Sequence, residues 1–229
     1  NRISLISLSR DTMCEFQRLN PDGTERDRAY GQLALAFSYG EGKEKSCEIT
    51  KDAVSRIMSE LPIRSCSALY LYGLRALNDA VGGVRVTILE DLDYKDPAMQ
   101  KGAEVTLDGK MAERYIRARE RTPQGNLNRM ERQKQYVKAL MKKAMEQIKK
   151  NPESILDIYN SIKNEVVTDL TTGEMLYLAT AAANMTIAPE IRTVPGEVRM
   201  SADNYVQYDI DEAGLLELLL SVYYIECEE

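Results

Sequence analysis

The sequence predicts an α/β protein, a mixed central β-sheet sandwiched between helices. Three observations carry this. Short apolar or alternating runs ("RISLIS", "VRVTIL") interleave along the whole chain with longer stretches of helical period ("TKDAVSRIMSEL", "ERQKQYVKALMKKAMEQIKK"). The 229 residues, 44% of them hydrophobic, suffice to bury a sizeable core as a single domain over residues 1–229. No run approaches the ~18 apolar residues of a membrane span, and no repeat or low-complexity tract breaks the alternation.

The first strand, around Ile3 to Leu8, is apolar enough for burial on both faces and runs into Arg10, Asp11 and Thr12. Ligands bind at strand ends in open α/β sheets; a surface turn closed by Asp11 is the other account of these residues. "MCEFQRLNPDGTERDRAY" reads as a β-hairpin turning at Asn20 to Gly23. "GQLALAFSYGEG" is a helix stopped by Gly40 and Gly42. A second helix, capped by Thr50, lines Ala53, Ile57 and Leu61 on one face and ends at Pro62. "SALYLY" is a strand, and "GLRALNDAVGG" a helix with a Gly-Gly stop. In "VRVTIL", Val84, Val86 and Ile88 share one face. After an acidic loop ("EDLDYKDP") and a short strand ("AEVTLDG"), "KMAERYIRAR" starts helical and straightens near its end. A polar loop leads to a long helix from about Arg129 to Lys149, striped by Tyr136, Leu140, Ala144 and Ile148. Two further helices ("PESILDIYNSIKNEV", "TGEMLYLATAAANM"), two short strands ("IRTVP", "NYVQYDI") and a last helix ("EAGLLELLLSVYYI") complete the pattern.

Charge and composition narrow the chemistry. The formal net charge of -6 argues against a general nucleic-acid binder. Yet residues 110–150 hold 13 Lys and Arg against 4 acids, which points to a local anionic ligand or to a solvated basic helix face. There is no histidine, which removes Ser-His-Asp and Cys-His catalysis and the commonest zinc ligand. The four cysteines lack the CxxC spacing of a zinc site.

The arginines of "YIRARERTPQGNLNRMERQ" form the most specific cluster. If residues 115–119 are extended, Tyr115, Arg117 and Arg119 point one way. Arg129, Arg132 and Gln133 fall near one face in the first turns of the following helix, where free N–H groups and the dipole favour anions. Guanidinium forks match phosphate oxygens two at a time, so the cluster reads as a pyrophosphate or polyphosphate cradle. Surface ion pairs with Glu113, Glu120 and Glu131 are the alternative.

Five motifs, in order, resemble the LytR-CpsA-Psr family of bacterial cell-wall phosphotransferases. They are "LISLSRDT", "QLALAFSYGEG", "LNDAVGGVRVTILEDLDYKDP", "TLDGKMAERYIRAR" and "NRMERQKQYVKAL", covering about residues 3–145. The resemblance implies an α/β/α fold and an enzyme that moves a glycopolymer from a polyprenyl-pyrophosphate carrier to a peptidoglycan hydroxyl. It implies phosphate contacts from Arg10, Arg117, Arg119, Arg129, Arg132 and Gln133, with Asp11 orienting Arg10 or a neighbour. It also implies Mg²⁺ as cofactor, an extracytoplasmic location at the cell membrane, and an apolar lipid tunnel, for which "ALNDAV", "YVKALMKKAM" and "YLATAAANM" are the candidate lining, with plain core packing of those stretches as the alternative. Nucleic acid is not an expected partner.

The chain departs from the family at Asn126, where an aspartate is usual, and at Gln32 and Ala34, where a lysine and an asparagine are usual. An amide cannot act as a general base, which makes Glu120 the nearest acid for that role. A non-catalytic polyprenyl-(pyro)phosphate binder is therefore the alternative function. The metal-binding acids are expected upstream of Asn1, on two further strands preceded by a membrane anchor. In an oxidising compartment, Cys14 and Cys47 are expected to pair, with Cys66 packed as a small apolar residue and Cys227 free; four reduced thiols are the alternative.

Overall fold

The structure is a computed structural model that describes residues 2–118 and 123–224, without the side chains of residues 123, 124 and 126. Arg119, Glu120 and Cys227, and the side chain of Asn126, lie outside the described residues. The α/β class stands, and strands and helices interleave from end to end.

In chain order the elements are β1 (Arg2–Ser7), β2 (Met13–Leu19), β3 (Glu25–Gln32), α1 (Leu33–Ser38), α2 (Glu44–Ile57), β4 (Ser67–Leu69), α3 (Leu71–Ala80), β5 (Val84–Thr87) and β6 (Glu104–Leu107). There follow α4 (Gly109–Arg117), α5 (Pro123–Lys150), α6 (Ser154–Ile162), β7 (Val166–Thr168), α7 (Thr172–Ala183), β8 (Thr186–Thr193), β9 (Gly196–Met200), β10 (Val206–Ile210) and α8 (Glu212–Tyr223). The strands pair as β1–β8, β2–β3, β4–β7, β5–β6 and β9–β10. The β2–β3 hairpin is antiparallel and turns at Asn20 to Gly23, where Asn20 N–H donates to the Thr24 carbonyl at 2.8 Å.

The chain divides into two compact units, each with its own core. One comprises residues 1–3, 69–166 and 171–189. Its core is built on the alternating strand β5, whose Val84 and Val86 are buried, together with Ile88, Leu107, Tyr115 and Tyr136. Polar groups fix the helices around it. Tyr136 Oη donates to Asn78 Oδ1 at 3.0 Å, and Asn78 Nδ2 donates to the Leu107 carbonyl at 2.9 Å. Gly109 opens α4 because α3 passes too close for a side chain: a Cβ there would stand 2.6 Å from the Arg75 carbonyl oxygen. The other unit comprises residues 4–68, 167–170 and 190–229, with Phe16, Leu33, Ala36, Ala53 and Leu219 at its centre.

Several expectations are corrected. Helix α2 begins at Glu44, so Thr50 lies inside it and bonds back to the Ser46 carbonyl at 2.8 Å rather than capping the start. "SALYLY" is a strand only to Leu69, and α3 begins at Leu71. Helix α4 runs to Arg117, so Tyr115 and Arg117 are helical rather than extended. The long helix starts at Pro123, six residues before Arg129, which takes Arg129, Arg132 and Gln133 out of the first turn. Of the stretches considered for a lipid tunnel, Val81 and Ala183 are buried in the core, and Leu77, Leu140, Ala144 and Ala179 pack half-buried against it. Cys14 and Cys47 are free thiols, and the Cys47 Sγ faces the Val167 carbonyl instead.

Candidate anion-binding site

Helix α4 places the first of the predicted arginines. Asp108 caps it, its Oδ1 accepting from Met111 N–H at 2.8 Å. Ala112 and Tyr115, three apart, turn into the core and are fully buried. Burial pushes the Tyr115 phenol up to about 12, so it stays protonated and donates to Gln135 Oε1 at 2.6 Å. That anchoring leaves Glu113, Arg114 and Arg117 on the opposite flank.

There, Glu113 lies between two arginines. Its Oε1 accepts from Arg117 Nη1 at 2.6 Å and its Oε2 from Arg75 Nε of α3. These two bonds, Arg75's first, hold the Glu113 carboxyl below the usual carboxylate range despite its near-burial. Around this triad, Arg75, Lys95, Lys110, Glu113, Arg114, Arg117 and Ala118 line a pocket of about 550 Å³. Among the described residues that line it, five are cations and one is a carboxylate. Arg114 is held by Asp96 at 3.2 Å, and Lys95 sits 5.1 Å from the centre of the Tyr94 ring. A concave site with this excess of positive charge suits a multiply charged anion.

Arg132 and Gln133 are not part of that lining. Arg132 is 1% exposed. Its Nη2 donates to the Ala118 carbonyl, its Nη1 lies 3.1 Å from Glu90 Oε1, and its guanidinium stands 5.8 Å from the Tyr115 ring centre. Buried in this way, it offers no surface to a phosphate, which corrects its assignment as a ligand. Gln133 Nε2 donates to the Ile116 carbonyl at 3.2 Å. Both side chains therefore satisfy carbonyls that the end of α4 leaves without helical partners. They brace the segment that carries Arg117. Asn128 adds to the brace, donating to Glu90 Oε2 at 2.7 Å. Arg129 is half-buried on α5.

Arg10 and Asp11 belong to the other unit. The Arg10 side chain is exposed, its Nε 3.6 Å from Asp11 Oδ1. That same oxygen accepts from Gln32 Nε2 at 3.2 Å, and Gln32 also donates to the Val206 carbonyl at 2.6 Å. The turn itself is pinned: Leu33 N–H donates to the Thr12 carbonyl at 2.7 Å, Ala34 N–H to that of Arg10 at 3.0 Å, and Tyr208 N–H to that of Asp11 at 2.9 Å. Asp11 thus sits where it can orient Arg10, while the buried Thr12 Oγ1 has no hydrogen-bond partner.

Sequence reasoning missed Arg75, Lys95, Lys110 and Arg114. Arg114 was within reach: read as one helix, residues 109–117 put Arg114 and Arg117 three apart and side by side. Arg75 comes from 38 residues upstream, on α3, where no local pattern marks it. Among the described residues no group of three or more His, Cys, Asp or Glu could hold a metal ion. No helix among them is long and apolar enough to cross a membrane.

Comparison with known proteins points to the same family. The TagU teichoic acid transferase of Bacillus cereus is 29% identical over 220 residues, covering 95% of this chain and 66% of the relative. That of Oceanobacillus iheyensis is 36% identical over 182 residues, covering 79% and 52%. The chain spans about half the length of several of the curated relatives it matches. The crystal structure of Bacillus subtilis TagU superposes with a TM-score of 0.64 at 20% identity, over 98% of this chain and 87% of that one. A Streptococcus agalactiae protein gives 0.75 at 20% identity, over 94% and 72%. The LytR_cpsA_psr family model matches residues 1–220, and the chain belongs to the LytR-CpsA-Psr family.

Proposed function

We propose that this chain is the catalytic domain, over residues 1–229, of a cell-wall phosphotransferase that moves a glycopolymer from a polyprenyl-pyrophosphate carrier to peptidoglycan. The observation that supports it most is the pocket beside Arg117, with five cations and one carboxylate among the described residues that line it, in a chain whose relatives are named polyisoprenyl-teichoic acid–peptidoglycan transferases. In the proposed reaction a sugar hydroxyl oxygen forms a bond to the glycan-bearing phosphorus. The bridging P–O bond breaks, and polyprenyl phosphate leaves with the electron pair. Arg117, Arg75 and Arg114 neutralise the charge that builds on the phosphoryl oxygens. On their motif positions, Arg10, Arg119 and Arg129 are proposed as further phosphate contacts, with Asp11 orienting Arg10 and Glu120 taking the hydroxyl proton.

The proposed setting is the extracytoplasmic face of the cell membrane, reached through an anchor outside this chain. Mg²⁺ is the cofactor proposed from the family resemblance. Asn126 favours a second reading, a binder of polyprenyl phosphates without turnover, because an amide accepts no proton at neutral pH. Incubating a full-length form with a polyprenyl-pyrophosphate glycan, peptidoglycan and Mg²⁺ separates the two. Release of polyprenyl phosphate, lost in Arg117→Ala, is the result expected of the transferase. Binding without release leaves the second reading, and neither binding nor release refutes both.

A further inference from the structure

One short segment holds two cysteines in the unit of residues 4–68, 167–170 and 190–229. Cys47, on α2, is 1% exposed, and its Sγ lies 3.8 Å from the Val167 carbonyl oxygen in β7. Cys66 precedes β4 and is fixed on the same short segment. Its N–H donates to Asp169 Oδ1 at 2.8 Å, and its carbonyl accepts from Thr168 Oγ1 at 2.9 Å and from Asp169 N–H at 3.3 Å. Residues 167–169 thus hold both cysteines, Cys47 through the Val167 carbonyl and Cys66 through Thr168 and Asp169. The clamp has a second point one turn along α2, where Lys51 Nζ pairs with Asp169 Oδ2 at 2.7 Å.

The two sulfurs are unequal. Burial first, then the Cys66 thiol, pushes the Cys47 thiol up to about 12, so Cys47 alone is a poor nucleophile. Cys66 is half-buried and is the thiol that an oxidant in solution can reach. Cys14 is set apart, packed in the core with Phe16 and Leu33.

We propose that Cys47 and Cys66 are the site of a disulfide, formed by exchange with a small-molecule or protein disulfide. The Cys66 thiolate attacks one oxidant sulfur and the other leaves as a thiolate. Cys47 then attacks the Cys66 sulfur, and the second oxidant thiolate leaves. Two protein thiols are oxidised to one S–S bond, the oxidant disulfide is reduced to two thiols, and both protons pass to them. The bridge joins α2 to the segment paired with β7 and closes a loop of about 20 residues in the unfolded chain. This inference is independent of the transferase reading.

The test treats the folded protein with oxidised glutathione, alkylates it in denaturant and maps the peptides without reductant. The expected result is a Cys47–Cys66 linked peptide, with two of the four thiols still alkylated. The oxidised protein should melt roughly 5–10 °C above the reduced one. Cys66→Ser, at a half-exposed position, should abolish that shift. Alkylation of all four cysteines, a Cys14–Cys47 peptide, or a shift that survives Cys66→Ser each overturns the proposal.

Discussion

Glu113→Gln tests the charge arrangement at the end of α4 most directly. The substitution keeps the shape of the side chain and removes the one negative charge among the described residues that line the pocket. Guanidiniums bonded to opposite oxygens of one carboxylate stand about 5–6 Å apart. At an effective dielectric near 20 two such charges repel by about 3 kcal/mol. Arg75 and Arg117 are 40% and 62% exposed, so solvent removes a good part of that. The expected loss is about 1–3 kcal/mol at neutral pH, or roughly 2–10 °C in Tm for a chain of this size. The same change raises the pocket's charge, so inorganic pyrophosphate should stabilise the variant more than the parent. The pH dependence has a definite sign. The folded-state pKa of Glu113 lies below its ordinary value, so its contribution is complete above the ordinary range of about pH 4 and is lost as pH falls through the lower folded value. The gap between parent and variant should therefore close in acid. Equal melting at pH 7, together with equal pyrophosphate-induced shifts, would refute the argument.

Three other outcomes follow from the same geometry. Arg132→Met should cost about 2–4 kcal/mol in urea unfolding, because it strips the Ala118 carbonyl and Glu90 of a buried partner, whereas Arg117→Ala should cost under ~1 kcal/mol yet weaken pyrophosphate binding measured by calorimetry. Arg10→Ala, exposed and 3.6 Å from its carboxylate, should leave the urea midpoint unchanged and reduce affinity for a polyprenyl-pyrophosphate lipid by roughly tenfold or more. Gly109→Ala should lower Tm through a loss of about 1–3 kcal/mol, since the new methyl group would press on the α3 backbone; an unchanged Tm would show that α4 can shift away from α3.

The parts of the fold that were legible are those in which burial writes a period into the sequence. β5 buries Val84 and Val86 and leaves Arg85 and Thr87 outside, and its alternation could be read directly. The β2–β3 hairpin was marked by its turn residues, and the end of α3 by Gly82 and Gly83, both at positive φ. Strands β7 and β9 were not legible for the converse reason. One is three residues long, and the other leaves four of its five residues exposed, so neither carries a hydrophobic pattern. Thr50 misled because a hydroxyl that can cap a helix can equally bond the carbonyl four residues back inside one.

The arginine motif was legible as chemistry but not as geometry. Spacing alone showed a concentration of guanidiniums and suggested that they converge on one anion. In the structure they divide by depth. Arg117 reaches the pocket, while the buried Arg132 and the exposed Gln133 both bond back to carbonyls at the end of α4. A side chain of fixed position can discriminate between the charge of a ground state and that of a transition state only if its backbone does not yield, so bracing residues belong to the machinery without touching a ligand. Glu113 fits the same logic. It competes with any incoming anion for Arg117 and Arg75, which lowers affinity for the ground state, and it keeps both forks aimed before the anion arrives. A site whose anion gathers charge as it reacts loses little by that competition, because the interaction that grows in the transition state is the one that sets the rate.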